Sequence, residues 1–351
     1  MRFSVVSYHL PHPDGTATGR HVFAVWEAIR ALGHEVEAWC WGEPPAGLEP
    51  PEWVSAVPHH DPGGWRALPR TMRRPREGIA QVGWTPPTDA VAWAEEPESY
   101  AAVTAAARNG VTVHHSAVLD AFALRRPRLA TIQSARAERR SVRRAGIAIA
   151  FSPRVGRAVG ARHVLPVTLP MPSAPIRPVG DPVAVMLADW SWPPNQVALD
   201  RLLAAWHTVR REVPAARLML AGRGMTRLPS GPGVEVVGEV KAARDVLERA
   251  AVFVFPCPPT SGPKMKVLDA LANGVPVVTT EAGIEGLAGV AKAVAISTGA
   301  QFAQALTAVL RDERRRALMA ERGRRAVIEF HSPQLAAVAR LRLIESRGWS
   351  D

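Results

Sequence analysis

Four lysines occur among the 43 lysines and arginines of this 351-residue chain, and two of them stand two positions apart. They are Lys264 and Lys266, in the stretch SGPKMKVLDALANGVPVVTT that begins at Ser261. The apolar run VFVFP precedes it, and the spacing of VLDALA predicts a helix starting just past Gly262. The first N–H groups of a helix lack acceptors and carry the positive end of its dipole, so a diphosphate fits there. Cations at that end are unfavourable unless an anion joins them. The two lysines therefore point to phosphate chemistry, as compact ammonium ions stabilising a departing diphosphate, with Lys266 in the catalytic role. Solvent-facing lysines in a first turn are the plainer reading. Asp269 offers an acceptor-only carboxylate suited to a vicinal diol, or a surface partner for Lys266 at i,i+3.

Further groups stand where strands should end. In DWSWPPN, residues 189–195, Asn195 is expected to cap a helix and Trp190 to wall a ligand site, with Trp192 as packing. In AGRG, Gly222 and Gly224 allow close backbone approach and Arg223 could face phosphate, although a GxG alone is weak. His114 and His115 end the run VTVHHS and are the acid/base candidates, His115 preferred, with Asp120 as its neighbour. A satisfied structural histidine is the competing reading. Gly15 and Gly19 would let a first loop approach phosphates or an acceptor, or simply turn the chain.

Strand-like runs must carry these groups. RFSVVSY, HEVEAWCW, AVAWAE, VTVHHS, LATIQS, IAIAFS and RHVLPV alternate with helical patterns, as in parallel α/β domains. Val22, Val25, Trp26 and Ile29 repeat at helical spacing, and Gly33 ends that helix. Residues 42–87, rich in Pro, Gly and Trp, predict irregular loops. The proline-rich segment 165–182 predicts an interdomain linker. Beyond it the alternation restarts with VAVML, a helix burying Leu199, Leu202, Leu203, Trp206 and Val209, then RLMLAG, VEVVG, a helix over 241–250, VFVFP, VPVVTT, AVAIS and two C-terminal helices. The expected division is an N-terminal domain over 1–168, a linker over 169–182, a C-terminal domain over 183–330, and a helix over 331–351 returning to the first domain. Ligands of such domains bind in the cleft at the carboxyl ends of the strands.

The length suits two domains, and the absence of a long apolar run or leader pattern predicts a cytoplasmic protein. Cys40 and Cys257 lack the spacing of a disulfide framework or zinc site. The net charge of +11 suits a polyanionic partner. Arg136, Arg139, Arg140, Arg143 and Arg144 form one cationic helical stripe, either solvated or facing an anion. The stripe suits an anionic acceptor or peripheral membrane contact through 136–144 better than base reading, so no specific nucleic acid partner is expected. No dehydrogenase GxGxxG, P-loop, GxSxG or HExxH motif occurs, and no DxD cluster implies a metal.

Taken together, VAVMLADWSWPPN, RLMLAGRG, GVEVVGEV and VFVFPCPPTSGPKMKVLDALANGVPVVTTEAGIEGL resemble the nucleotide-sugar-binding half of a GT-B glycosyltransferase of retaining family 4. SYHLPHPDGTATGRHVFAVWEAIRALGHEVEAW resembles the first domain of those enzymes more loosely. The resemblance implies two Rossmann-like parallel-sheet domains facing a central cleft. It implies metal-independent, retaining transfer of a sugar from a nucleoside-diphosphate sugar to a small-molecule or lipid-linked acceptor. The sugar nucleotide is then a co-substrate, and no cofactor is needed. Donor contacts are implied at Gly15, Trp190, Asn195, Gly222, Arg223, Ser261, Gly262, Pro263, Lys264, Met265, Lys266, Val267 and Asp269, with backbone groups of Val237 and Gly238 presented to the base. The family commonly has glutamates where this chain has Ser261 and Asp269, and an Arg/Lys clamp where it has Trp190, Trp192 and Asn195. These departures leave open a non-catalytic nucleotide-sugar-binding or accessory protein.

Overall fold

The computed structural model describes residues 1–56, 85–121, 128–177, 179–225, 229 and 231–349. The chain divides into two compact units, Met1–Pro170 with Ser332–Asp351, and Met171–His331.

The first unit runs β1 (Arg2–Ser7), α1 (Ala17–Ala31), β2 (Glu35–Cys40), β3 (Val54–Ala56), β4 (Val91–Ala94), α2 (Tyr100–Val103), β5 (Asn109–Val113), α3 (Ala117–Asp120), α4 (Arg128–Arg144), β6 (Ile147–Ala150), α5 (Pro153–Val159) and β7 (His163–Val164). Its sheet is parallel, in the order β3-β2-β1-β4-β5-β6-β7. β4, β5 and β6 are buried on both faces, which is why they read as unbroken apolar runs rather than alternating ones. The Thr16 hydroxyl accepts the Gly19 N–H and caps α1, which buries Val22, Val25, Trp26 and Ile29. Gly19 is required by proximity, since a Cβ there would lie 2.2 Å from the Leu10 carbonyl oxygen.

The second unit runs β8 (Val183–Leu187), α6 (Pro193–Glu212), β9 (Arg217–Ala221), β10 (Val234–Gly238), α7 (Ala243–Leu247), β11 (Val252–Phe255), α8 (Met265–Ala272), β12 (Val277–Thr279), a 3-10 turn (Glu281–Ile284), β13 (Ala295–Ile296), α9 (Gln301–Arg311) and α10 (Glu313–His331). Its parallel sheet has the order β10-β9-β8-β11-β12-β13. A last helix, α11 (Pro333–Glu345), packs on α1 of the first unit. In both sheets the order reverses once, between β1 and β4 and between β8 and β11, and that reversal opens a crevice at the carboxyl ends of the strands.

Three local expectations need correction. LATIQS is no strand but lies within α4, because the buried positions Ser134, Ala135, Glu138, Ser141 and Val142 repeat at helical spacing and override the β-branched residues. Three helices rather than two follow β13, since Ser332 and Pro333 start a new one, the Ser332 hydroxyl accepting the Leu335 N–H. The irregular region 42–87 includes the edge strand β3, and its residues 57–84 lie outside the described ones. Among the described residues no helix is long and apolar enough to cross a membrane.

Candidate functional site

The crevice between β8 and β11 is formed by two strand-to-helix connections. One leads from β8 through Asp189 and Trp190 into α6, and the other from β11 through Ser261 and Gly262 into α8. Gly262 turns the second with a φ of 75°, which only glycine adopts without strain. Ser261, Gly262 and Pro263 are buried, and Lys264 precedes the first helical residue, Met265. No acidic residue occupies the first turn of α8.

The two lysines differ. Lys264, 9% exposed, folds back so that its ammonium donates to the carbonyl of Ser261 at 3.1 Å and to that of Gly262, which stiffens the loop. Lys266 reaches across the crevice. Its Nζ donates to Asn195 Oδ1 at 2.7 Å and lies 4.4 Å from the centre of the Phe255 ring. Burial pushes the Lys266 pKa down to about 8, aided by Lys264 and opposed by Cys257 and Asp189. Neither lysine is the solvent-facing residue of the plainer reading. Asp269 is 6% exposed, so it is no surface partner; the Asn273 amide donates to its backbone carbonyl at 2.9 Å and to its Oδ1 at 3.4 Å. Val267 is buried and Met265 half-buried beside it.

Asn195 is not a cap. Trp192 holds that position, and Asn195 sits inside the first turn of α6, its Nδ2 donating to the Asp189 carbonyl at 2.7 Å while its oxygen takes Lys266. Asp189, which sequence reasoning passed over, organises the same loop. Its carboxylate accepts the backbone N–H of Ser191 at 3.0 Å and Arg223 Nε at 3.0 Å. Burial alone would raise its pKa, but hydrogen bonds from Ser191 and Arg223 outweigh this and hold it below the usual range. Arg223 is thus tied to a carboxylate, with its side chain half exposed. Trp190 is buried rather than walling an open site, and its backbone N–H bonds the Arg223 carbonyl.

Gly222 serves the sheet, since a Cβ there would meet the Ala188 carbonyl oxygen at 1.8 Å. Its N–H donates to the Gly238 carbonyl, and Gly238 (φ 82°) and half-buried Val237 end β10. A pocket of about 820 Å³ opens beside the loop leaving β11, lined by Pro256, Cys257, Pro259, Thr280, Glu281 and Arg201 among others.

In the first unit, His114 follows β5 and is buried against His21 and Phe151, ring centres 5.6 and 4.9 Å away. Burial, then His21, His115 and His9, hold its pKa well below the imidazole value, so it is neutral. His114 Nε2 and His21 Nε2 are both buried without a hydrogen-bond partner. His115 is half exposed, with Nδ1 3.8 Å from Asp120 Oδ2. The Gly15 N–H bonds the His12 carbonyl in the loop between β1 and α1. Glu95 and Glu96 follow β4 at this sheet's own reversal point, a doublet whose position after a buried run was the available signal. Glu96 accepts the Tyr8 N–H at 2.9 Å and the Ser99 hydroxyl at 3.0 Å, and burial pushes its pKa up to about 8.

The glycosyl transferases group 1 family model matches residues 181–312, which cover the second sheet and the start of α8. No curated protein matches the chain. Sucrose-phosphate synthase from Thermosynechococcus elongatus has a similar structure, with a TM-score of 0.72 at 16% identity over 99% of each chain. So does Anabaena HepE in complex with UDP and glucose, with a TM-score of 0.66 at 14% identity over 98% of this chain and 99% of that one. A mutant of S. aureus TarM, in complex with fondaparinux, alpha-GlcNAc-glycerol and UDP, has a TM-score of 0.62 at 12% identity over 73% of this chain and 55% of that one. The chain thus spans about half the length of TarM. The fold is GT-B, two parallel-sheet α/β domains. Over residues 181–312, within the second unit, the sequence is similar to the glycosyl transferases group 1 family.

Proposed function

We propose that the protein transfers a sugar from a nucleoside-diphosphate sugar to an acceptor hydroxyl, with retention of configuration and without a metal. The observation that carries this reading is the start of α8, where two lysines stand at the positive end of a helix with no acidic residue in its first turn. A buried cation so placed is stable only opposite an anion or strong acceptors, and a diphosphate supplies the anion. On transfer the bond between the anomeric carbon and the phosphate oxygen breaks as the acceptor oxygen bonds the same face of the sugar. The acceptor proton leaves to the departing diphosphate or to a general base, for which His115 and His114 are the candidates. Negative charge grows on the diphosphate, and Lys266, Lys264 and the helix start stabilise it in place of a metal. Asp269 is assigned to the ribose diol, and a small-molecule or lipid-linked acceptor to the first unit.

A panel of UDP, GDP, dTDP and ADP tests the reading by thermal shift, since a ligand of the folded state raises its midpoint by mass action. At least one should stabilise the wild type, and Lys266→Ala should abolish that shift; a panel without effect sinks the reading. The fully buried Ser261, where the family has a carboxylate, and the engagement of Arg223 by Asp189 favour a second reading, a nucleotide-sugar-binding protein without transfer activity. Release of nucleotide from a donor, however slow, separates the two.

A further inference from the structure

The outer face of α4 carries more than its arginines. Arg136, Arg139, Arg140, Arg143 and Arg144 are all exposed. Leu129, 75% exposed, and Ile132, 39% exposed, precede them on the same face. At 3.6 residues per turn, Leu129, Ile132, Arg136, Arg140 and Arg143 fall at i, i+3, i+7, i+11 and i+14, one line about 20 Å long. The opposite face is buried. Glu138, the one acidic residue of the helix, belongs to that face and accepts the Ala117 N–H at 2.9 Å. Arg139 Nε donates to the Ala158 carbonyl at 3.3 Å, joining this face to α5 and its exposed Arg157. Val118 of α3, which packs against α4 where Ala117 meets Glu138, is a further exposed aliphatic residue.

We infer that this face docks the protein on an anionic lipid bilayer, with Leu129 and Ile132 entering the headgroup layer and the arginines of α4 neutralising lipid phosphates. A merely solvated helix face would mix acids with bases and bury its aliphatic residues. Here exposed leucine and isoleucine stand in line with a row of arginines and no acid of the helix shares their face, the pattern of a basic cluster that meets anionic lipid with a few aliphatic side chains entering the headgroup layer. Arginine suits the position, since its aliphatic stem covers apolar surface while its guanidinium reaches phosphate. A nucleic acid site is the weaker fit, because single strands are held by aromatic stacking and this face offers only aliphatic side chains. The inference does not depend on the nucleotide reading, although docking of this kind suits an acceptor carried on lipid.

Co-sedimentation of the full chain with phosphatidylcholine vesicles, with and without about one third phosphatidylglycerol, tests it. Binding should require the anionic lipid and fall as salt rises, with about fivefold weaker partitioning for each arginine removed. Arg136→Glu/Arg140→Glu/Arg143→Glu should abolish binding, with Arg136→Gln/Arg143→Gln as the milder pair should the triple variant unfold. Leu129→Asp/Ile132→Asp should weaken binding at least tenfold while leaving the nucleotide thermal shift intact. Failure of the wild type to bind anionic vesicles overturns the inference. So does binding that the Leu129/Ile132 replacements leave unchanged, or binding to single-stranded RNA as tight as to vesicles, which would mark a general polyanion surface.

Discussion

The ammonium of Lys266 lies 2.7 Å from the side-chain oxygen of Asn195, joining the first turn of α8 to the first turn of α6 where the order of the second sheet reverses. A neutral amide holds this cation, and no carboxylate of the first turn compensates it. The proposed diphosphate would add to the partial compensation that Asp189 gives, which makes the pair the natural place to test the site.

Replacing Lys266 with Met removes the charge while retaining much of the side chain. Nucleotide affinity should fall at least tenfold and any transfer rate more, whereas the melting temperature should hold steady or rise. Isothermal titration beside a thermal melt checks this, and a large loss of stability with unchanged affinity would mark Lys266 as structural.

The pH dependence of the same residue has two opposite signs. Its pKa is about 8 in the folded chain against 10.5 for an ordinary lysine, so between these values the unfolded chain binds the extra proton and stability of the free protein rises with pH. Nucleotide affinity, which needs the proton, should fall as pH rises through about 8. In Asn195→Asp the added charge should move that fall upward, and in Asn195→Ala the lost acceptor should move it downward. Titrations of nucleotide across alkaline pH decide it; identical profiles in all three proteins would show that Asn195 does not position the ammonium.

Glu96 carries the reverse linkage. Its carboxyl, raised to about 8 by burial, is neutral at the β1–β4 reversal point, and the stability it lends is complete below the ordinary value of 4.5 and lost as pH rises through about 8. Glu96→Gln should leave the melting temperature nearly unchanged under mild acid and raise it above pH 8. Melting curves across that range are the measurement.

Arg340 of α11 meets Glu95 at 2.5 Å, with both side chains at most 1% exposed and the guanidinium 4.9 Å from the rings of Trp26 and Trp93. Burial opposes ionisation of Glu95, and Arg340 overcomes it. Arg340→Met should cost about 3–5 kcal/mol by stranding a buried carboxylate, and adding Glu95→Gln should restore a large part of it. Urea unfolding of the single and double variants tests the coupling.

Much of this protein could be read from its residue order. The alternation of buried runs with amphipathic segments determined two parallel α/β sheets, because strands covered on both faces have no polar alternation to hide them. The glycine turn and the lysine pair before VLDALA marked the helix start at which an anion is expected, since N-terminal N–H groups and the dipole are properties of any helix. Local patterns failed where burial was decided at a distance, as in LATIQS, whose place in α4 follows from the face that packs inward. Asp189 and Asn195 could be seen in the sequence, but their roles could not. Only tertiary structure brought Asn195 to Lys266, 71 positions away, and set Arg223 against Asp189, because strand order decides which loops share a crevice and no periodicity records it. The same holds for Arg340, which looks like one more surface arginine until α11 carries it into the core beside Glu95.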